Sequence, residues 1–72
     1  MTTDELARRL RDDYARAGKG DKVVAIHLFG IRNADALEGH SAHEIAERAG
    51  IGRSFGTEIR KGMRLAEYVQ VK

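Results

Sequence analysis

The sequence predicts an all-α fold, a compact four- to five-helix domain. Three observations carry this. Apolar residues recur every three or four positions and almost never alternate. Good N-cap residues and glycines bracket those stretches. No proline interrupts them. At 72 residues without cysteine, the chain reads as a single helical domain over 1–72, held by apolar packing rather than disulfides or thiolate metal sites.

The first helix is expected over about Thr3 to Ala17. Thr2 and Glu5 stand at capping-box spacing. Leu6, Leu10, Tyr14 and Ala17 form one stripe, with Ala7 beside it, and Arg8, Arg9, Arg11, Asp12, Asp13 and Arg16 fill the wet side. Gly18 suits a left-handed residue just past the end. The second segment starts at Asp21 as N-cap. Val23, Val24, Ile26, Leu28, Phe29 and Ile31 are apolar on nearly every side, which predicts a central helix. It is expected to run, kinked near Gly30, to Leu37 or Glu38, with Gly39 closing it. A break near "FGIRNAD" is the alternative.

The third segment, "SAHEIAERAG", has Ser41 as N-cap and Glu44 three residues on, a second capping box. Ala42, Ile45, Ala46 and Ala49 line one face, and Gly50 ends it. The fourth begins near Ser54. With about 100° per residue, Phe55, Gly56, Gly62, Met63 and Ala66 fall on the Ile59 side. Ser54, Thr57, Lys61 and Arg64 fall on the opposite side, with Arg53 and Arg60 on a flank. Leu65 lies off the stripe, so the helix is expected to end or change partners there. The tail "EYVQVK" fits either a last helical turn or a short extended segment. Phe29 and Phe55 are the expected interior aromatic pair, and Tyr14 and Tyr68 are read as core or interface residues.

Composition narrows the function. Hydrophobic residues at 42% and charged residues at 33% suit a folded chain rather than a disordered one. No apolar run approaches the roughly 18 residues of a membrane span. "MTTDELARRL" lacks the order of a secretory signal. A cytoplasmic, most simply prokaryotic, protein without a membrane partner is expected. So short a chain has little room for an enclosed catalytic cavity. The glycines of "GIGRSFG" follow no strand and precede no phosphate-loop lysine, so no enzymatic activity and no cofactor are expected. His27, His40 and His43 invite a metal site, but no cysteine or tight acidic cluster completes one. They are read instead as an edge histidine with a hydrogen-bonded ring (His27) and two exposed residues around Ser41.

The formal net charge of +2 is unevenly spread. Residues 1–22 carry six basic against five acidic side chains, residues 23–50 two against four, and residues 51–72 five against two. The basic C-terminal third suggests an anionic partner there.

"EIAERAGIGRSFGTEI" resembles the two-helix core of the helix-turn-helix DNA-binding superfamily, over roughly Ser41 to Arg64. Ile45 and Ala46 match the apolar residue and alanine of its first helix. Gly50 matches the turn glycine, Ile51 the apolar residue after it, and Ile59 the buried aliphatic of its second helix. The usual cap of the second helix is Gly52 here, leaving Ser54 to cap later. The aliphatic expected near its start falls at Gly56, with Phe55 as the substitute. More loosely, the whole chain resembles small bacterial HTH-like domains with "IHLFGI" and "GTEIRKGM" type segments. The resemblance implies double-stranded DNA as partner, with a recognition helix at about 54–64 in the major groove. Ser54, Thr57 and Lys61 would then meet base edges, and Arg53, Arg60 and Arg64 phosphates. Glu58 would be a cost near the backbone unless it reads a cytosine amine or pairs with Arg. The role implied is a small transcriptional regulator or DNA-targeting module, dimeric or joined to a larger protein. The alternative reading is a helical protein-interaction or oligomerisation module that uses the first two segments or "LAEYVQV". The sequence does not separate duplex DNA from structured RNA.

Overall fold

Helix α1 (Thr3–Arg16) is fixed at its start by the capping box expected of Thr2 and Glu5. The Glu5 amide donates to Thr2 Oγ1 at 3.1 Å and the Thr2 amide to Glu5 Oε1 at 2.8 Å. The computed structural model describes residues 1–72. Helix α2 (Lys22–Arg32) and the short α3 (Ala34–Leu37) follow, then α4 (Ala42–Ala49), a 3₁₀ turn at Arg53–Phe55, and α5 (Gly56–Leu65). The chain is all-helical, with no strand.

Several local expectations need correction. Gly18 is not left-handed; α1 leaves through extended Ala17. Asp21 occupies the N-cap position of α2 but makes no side-chain cap bond. The second segment is not one kinked helix. The alternative holds: it breaks at Asn33, within "FGIRNAD", and α3 resumes at Ala34. Asn33 Nδ2 donates to the Phe29 carbonyl at 2.9 Å, and Arg9 Nη1 donates to Asn33 Oδ1 at 3.0 Å. An Asn side chain that bonds its own backbone competes with helix continuation. Nor is α2 buried all round. Ile26, Phe29 and Gly30 are buried, whereas Val23 and Val24 are exposed. At α4, Ser41 accepts from the Glu44 amide at 3.2 Å, but the Glu44 carboxylate pairs with Arg48 instead of returning to the cap. Ser54 does not cap α5; it lies inside the 3₁₀ turn. After Leu65 the Tyr68 and Val69 amides close one turn onto the Leu65 carbonyl, and no extended strand forms. Tyr68 is 74% exposed and belongs to no core.

The interior is one cluster to which every helix contributes. Leu6 and Leu10 come from α1, Ile26 and Phe29 from α2, Leu37 from α3, Ile45 from α4 and Ile59 from α5. Phe55 is half-buried against it. Helices α1 and α4 pack together, and Arg11 ties them. Its Nε donates to the Ala49 carbonyl at 3.3 Å and its Nη2 to the Arg48 carbonyl at 3.2 Å. A guanidinium there satisfies orphan carbonyls at the negative end of α4.

Helix α5 lies across α2 at a glycine-on-glycine crossing. A Cβ on Gly30 would stand 2.5 Å from the Ile59 carbonyl oxygen and 2.9 Å from the Gly62 Cα. A Cβ on Gly62 would stand 2.9 Å from the Gly30 Cα and would run into the His27 carbonyl oxygen. A third close approach sets the start of α5: a Cβ on Gly56 would overlap the backbone of His43 in the first turn of α4. The position where the superfamily pattern has an aliphatic residue is therefore a site with no room for one.

Gly30→Ala should lower the unfolding free energy by about 2 kcal/mol in urea titration, because overpacking against rigid backbone outweighs the roughly 1 kcal/mol gain in helix propensity. Gly18→Ala meets only Asp21 Oδ2, at 3.8 Å, and should be neutral or stabilising by about 0.5 kcal/mol. Equal effects from the two substitutions would rule out a crossing this tight.

Candidate nucleic-acid interface

Two glycines set the angle between α4 and α5. Gly50 ends α4 in the left-handed region at φ 81°, and its amide reaches the Ala46 and Glu47 carbonyls. Gly52 follows at φ 111°, a conformation that residues with a Cβ rarely adopt. Between them Ile51 turns inward, half-buried on the core. The chain then makes its 3₁₀ turn and enters α5. His43 braces this corner, its Nδ1 donating to the Arg53 carbonyl at 2.9 Å.

With Gly56, Ile59 and Gly62 turned inward, the opposite side of α5 faces solvent. Arg53, Ser54, Thr57, Arg60, Lys61 and Arg64 are all exposed. They do not form one continuous helical face, because Arg53 and Ser54 belong to the 3₁₀ turn. The cations also differ in what they already hold. Arg53 Nη1 lies 3.2 Å from Glu47 Oε1, and Lys61 Nζ lies 3.5 Å from Glu58 Oε2. Arg60 and Arg64 make neither an ion pair nor a side-chain hydrogen bond. They stand one helical turn apart, a spacing at which side chains project side by side. Across an open depression from them, α3 and its C-cap present Asp35 and Glu38, and Glu67 lies at the same rim. The basic strip is thus bordered on one side by carboxylates.

Glu58 takes the pairing route that the sequence left open, with different partners. Its Oε1 accepts from His27 Nε2 on α2 at 2.7 Å. That hydrogen bond, aided by the charge of Lys61 against partial desolvation, holds the Glu58 carboxyl below its ordinary range. His27 is therefore the hydrogen-bonded edge histidine that was expected. His40 and His43 are not exposed but half-buried. His40 Nδ1 shares a hydrogen bond with Thr3 Oγ1 at 2.9 Å, so the three rings face three different partners. Sequence reasoning singled out Glu58 but missed Glu47 and His27 as neighbours of the strip. The Glu58–Lys61 spacing of three residues was a readable signal; the 31-residue separation of His27 and Glu58 was not.

The remaining arginines of α1 and α4 mostly serve the fold. Arg9 holds Asn33, Arg11 holds the end of α4, and Arg48 bridges Asp4 at 2.7 Å and Glu44 at 2.6 Å. No helix is long and apolar enough to cross a membrane. The profile of one protein family, described as an HTH-like domain, matches residues 2–72. No curated protein and no solved structure matches the chain.

A depressed carboxyl stabilises the fold above its unfolded value, about 4.3 for glutamate, and that contribution fades as pH falls through the lower folded value. The stability gap between the native chain and Glu58→Gln should therefore be widest near pH 6 and close towards pH 3 in urea titrations. A gap independent of pH would mean that the charge of Glu58 does not support the fold.

Proposed function

The chain belongs to the family of HTH-like domains, and from that premise we propose that it binds double-stranded DNA with α5 in the major groove. In this reading it acts in the cytoplasm as a small transcriptional regulator or as the targeting module of a larger system. It performs no catalysis and requires no cofactor. The observation that carries the proposal is the pair Arg60 and Arg64, two cations on the outward side of α5 with no partner in the chain. Unsatisfied guanidinium groups one turn apart suit successive phosphate oxygens. Ser54, Thr57 and Lys61 are assigned to base edges and Arg53 to a phosphate on the flank. The carboxylates of α3 confine the polyanion to the other side of the strip.

One module makes few contacts, and specific affinity at physiological salt needs more. A homodimer supplies them. The second reading, an interaction module without nucleic acid, is favoured by Val23 and Val24 at the start of α2 and by Tyr68 and Val69 in the tail, all exposed.

Duplex DNA binding by the native chain should weaken steeply with salt. Arg60→Ala with Arg64→Ala should flatten the slope of log K against log salt by roughly 1.8, about 0.9 per phosphate contact. An RNA hairpin should compete poorly, since the A-form major groove is too narrow for a helix. Absence of duplex binding at low salt, together with a stable dimer indifferent to the two substitutions, would favour the second reading.

A further inference from the structure

The strip on α5 contains one residue of the wrong sign for a polyanion surface. Glu58 sits beside Lys61 with only 23% of its side chain exposed. One of its oxygens receives the His27 ring from α2 at 2.7 Å, and the other faces the Lys61 ammonium at 3.5 Å. We infer that Glu58 is a specificity-determining residue of this surface: anchored by His27, its carboxylate holds the Lys61 ammonium away from phosphate, so that Lys61 adds little to the sequence-independent attraction of the arginines. This deepens the duplex reading and rests on it.

The strength of such a pair depends on which partner is fixed. Two flexible, exposed side chains that pair on a surface gain little, because both lose rotamer freedom. Arg53 and Glu47 are such a pair, 60% and 61% exposed, with Glu47 held by nothing else. Glu58 is different. Its carboxylate is already immobilised by a hydrogen bond from another helix, so only Lys61 is ordered by the pairing. Moving Lys61 to a phosphate would strand a fixed anion beside the phosphate. Free cations attract every duplex alike, and specificity is the ratio of specific to non-specific binding. A lysine held this way adds little to the non-specific term. It is returned to the site only where a base-edge acceptor comes within its reach.

The experiment is a double-mutant cycle of Glu58→Gln and Lys61→Met, read as the salt slope of binding to a mixed-sequence duplex and, in parallel, as elution salt from immobilised heparin. Gln keeps the acceptor for His27. Lys61→Met alone should flatten the mixed-sequence slope by well under about 0.9, since only a lysine already free of Glu58 makes a full phosphate contact. Glu58→Gln should tighten binding several-fold at low salt and steepen the slope by about 0.9, and adding Lys61→Met should abolish that gain. If Glu58→Gln does not fold, His27→Gln frees the carboxylate without removing it and takes its place, with a smaller gain expected. A slope that falls by about 0.9 in Lys61→Met alone would overturn the inference, since Lys61 would then already be free. A gain that persists in the double variant would overturn it too, leaving plain repulsion by Glu58. Failure to bind duplex while heparin elution follows the cycle would remove the DNA reading and keep the withheld lysine. Failure of both readouts would remove both.

Discussion

The distance between the backbones of α2 and α5 governs most of what this chain presents to solvent. Gly30 and Gly62 meet with no side chain between them, so the two helices approach as closely as backbones allow. That contact presses Ile59 into the core beside Phe29 and Ile26. It brings Glu58 within reach of His27, and it turns the side of α5 that carries Arg60 and Arg64 away from the protein. A Cβ at either glycine would lift α5 and alter the reach of its cations. The helix-propensity cost of a mid-helix glycine, about 1 kcal/mol, is offset by packing that no larger residue permits.

Electrostatics follow from the same arrangement. The chain has 13 basic and 11 acidic side chains, a balance that by itself says little. Position says more. Arg9, Arg11 and Arg48 bind carbonyls or acids between helices, and Lys22 donates to the Tyr14 carbonyl while lying 5.0 Å over the Tyr14 ring. The three arginines join elements distant in sequence, and Lys22 joins two consecutive helices. The pair on α5 joins nothing within the chain.

The sequence declared its helices through caps and spacing. Thr2 with Glu5, Ser41, Gly39 and Gly50 all act as local chemistry requires, and Leu65 falls off the stripe where α5 ends. Failures came where a tertiary partner decides. Asn33 breaks the second segment because Arg9, 24 residues earlier, orients its amide. Gly56 departs from the superfamily pattern because His43 occupies the space a side chain would need. Val23 and Val24 read as interior because hydrophobicity does not say which side of a helix finds a neighbour. At the candidate interface all six residues named from spacing lie at the surface. Which cations are engaged was hidden, because the carboxylate at Glu58 is set by a ring on another helix.

Asn33 has one more consequence. It is 7% exposed, and its amide links α1, through Arg9, to the carbonyl of Phe29 at the end of α2. An interior of Leu, Ile and Ala tolerates small slides of one cylinder along another, since a displaced methyl group finds a nearly equivalent neighbour. A buried amide finds none; slippage by a fraction of a turn would leave it unsatisfied. Asn33 therefore works as an index mark, selecting one alignment of the first three helices from several of similar oil-like quality. The helix carrying the outward arginines inherits its bearing from that selection.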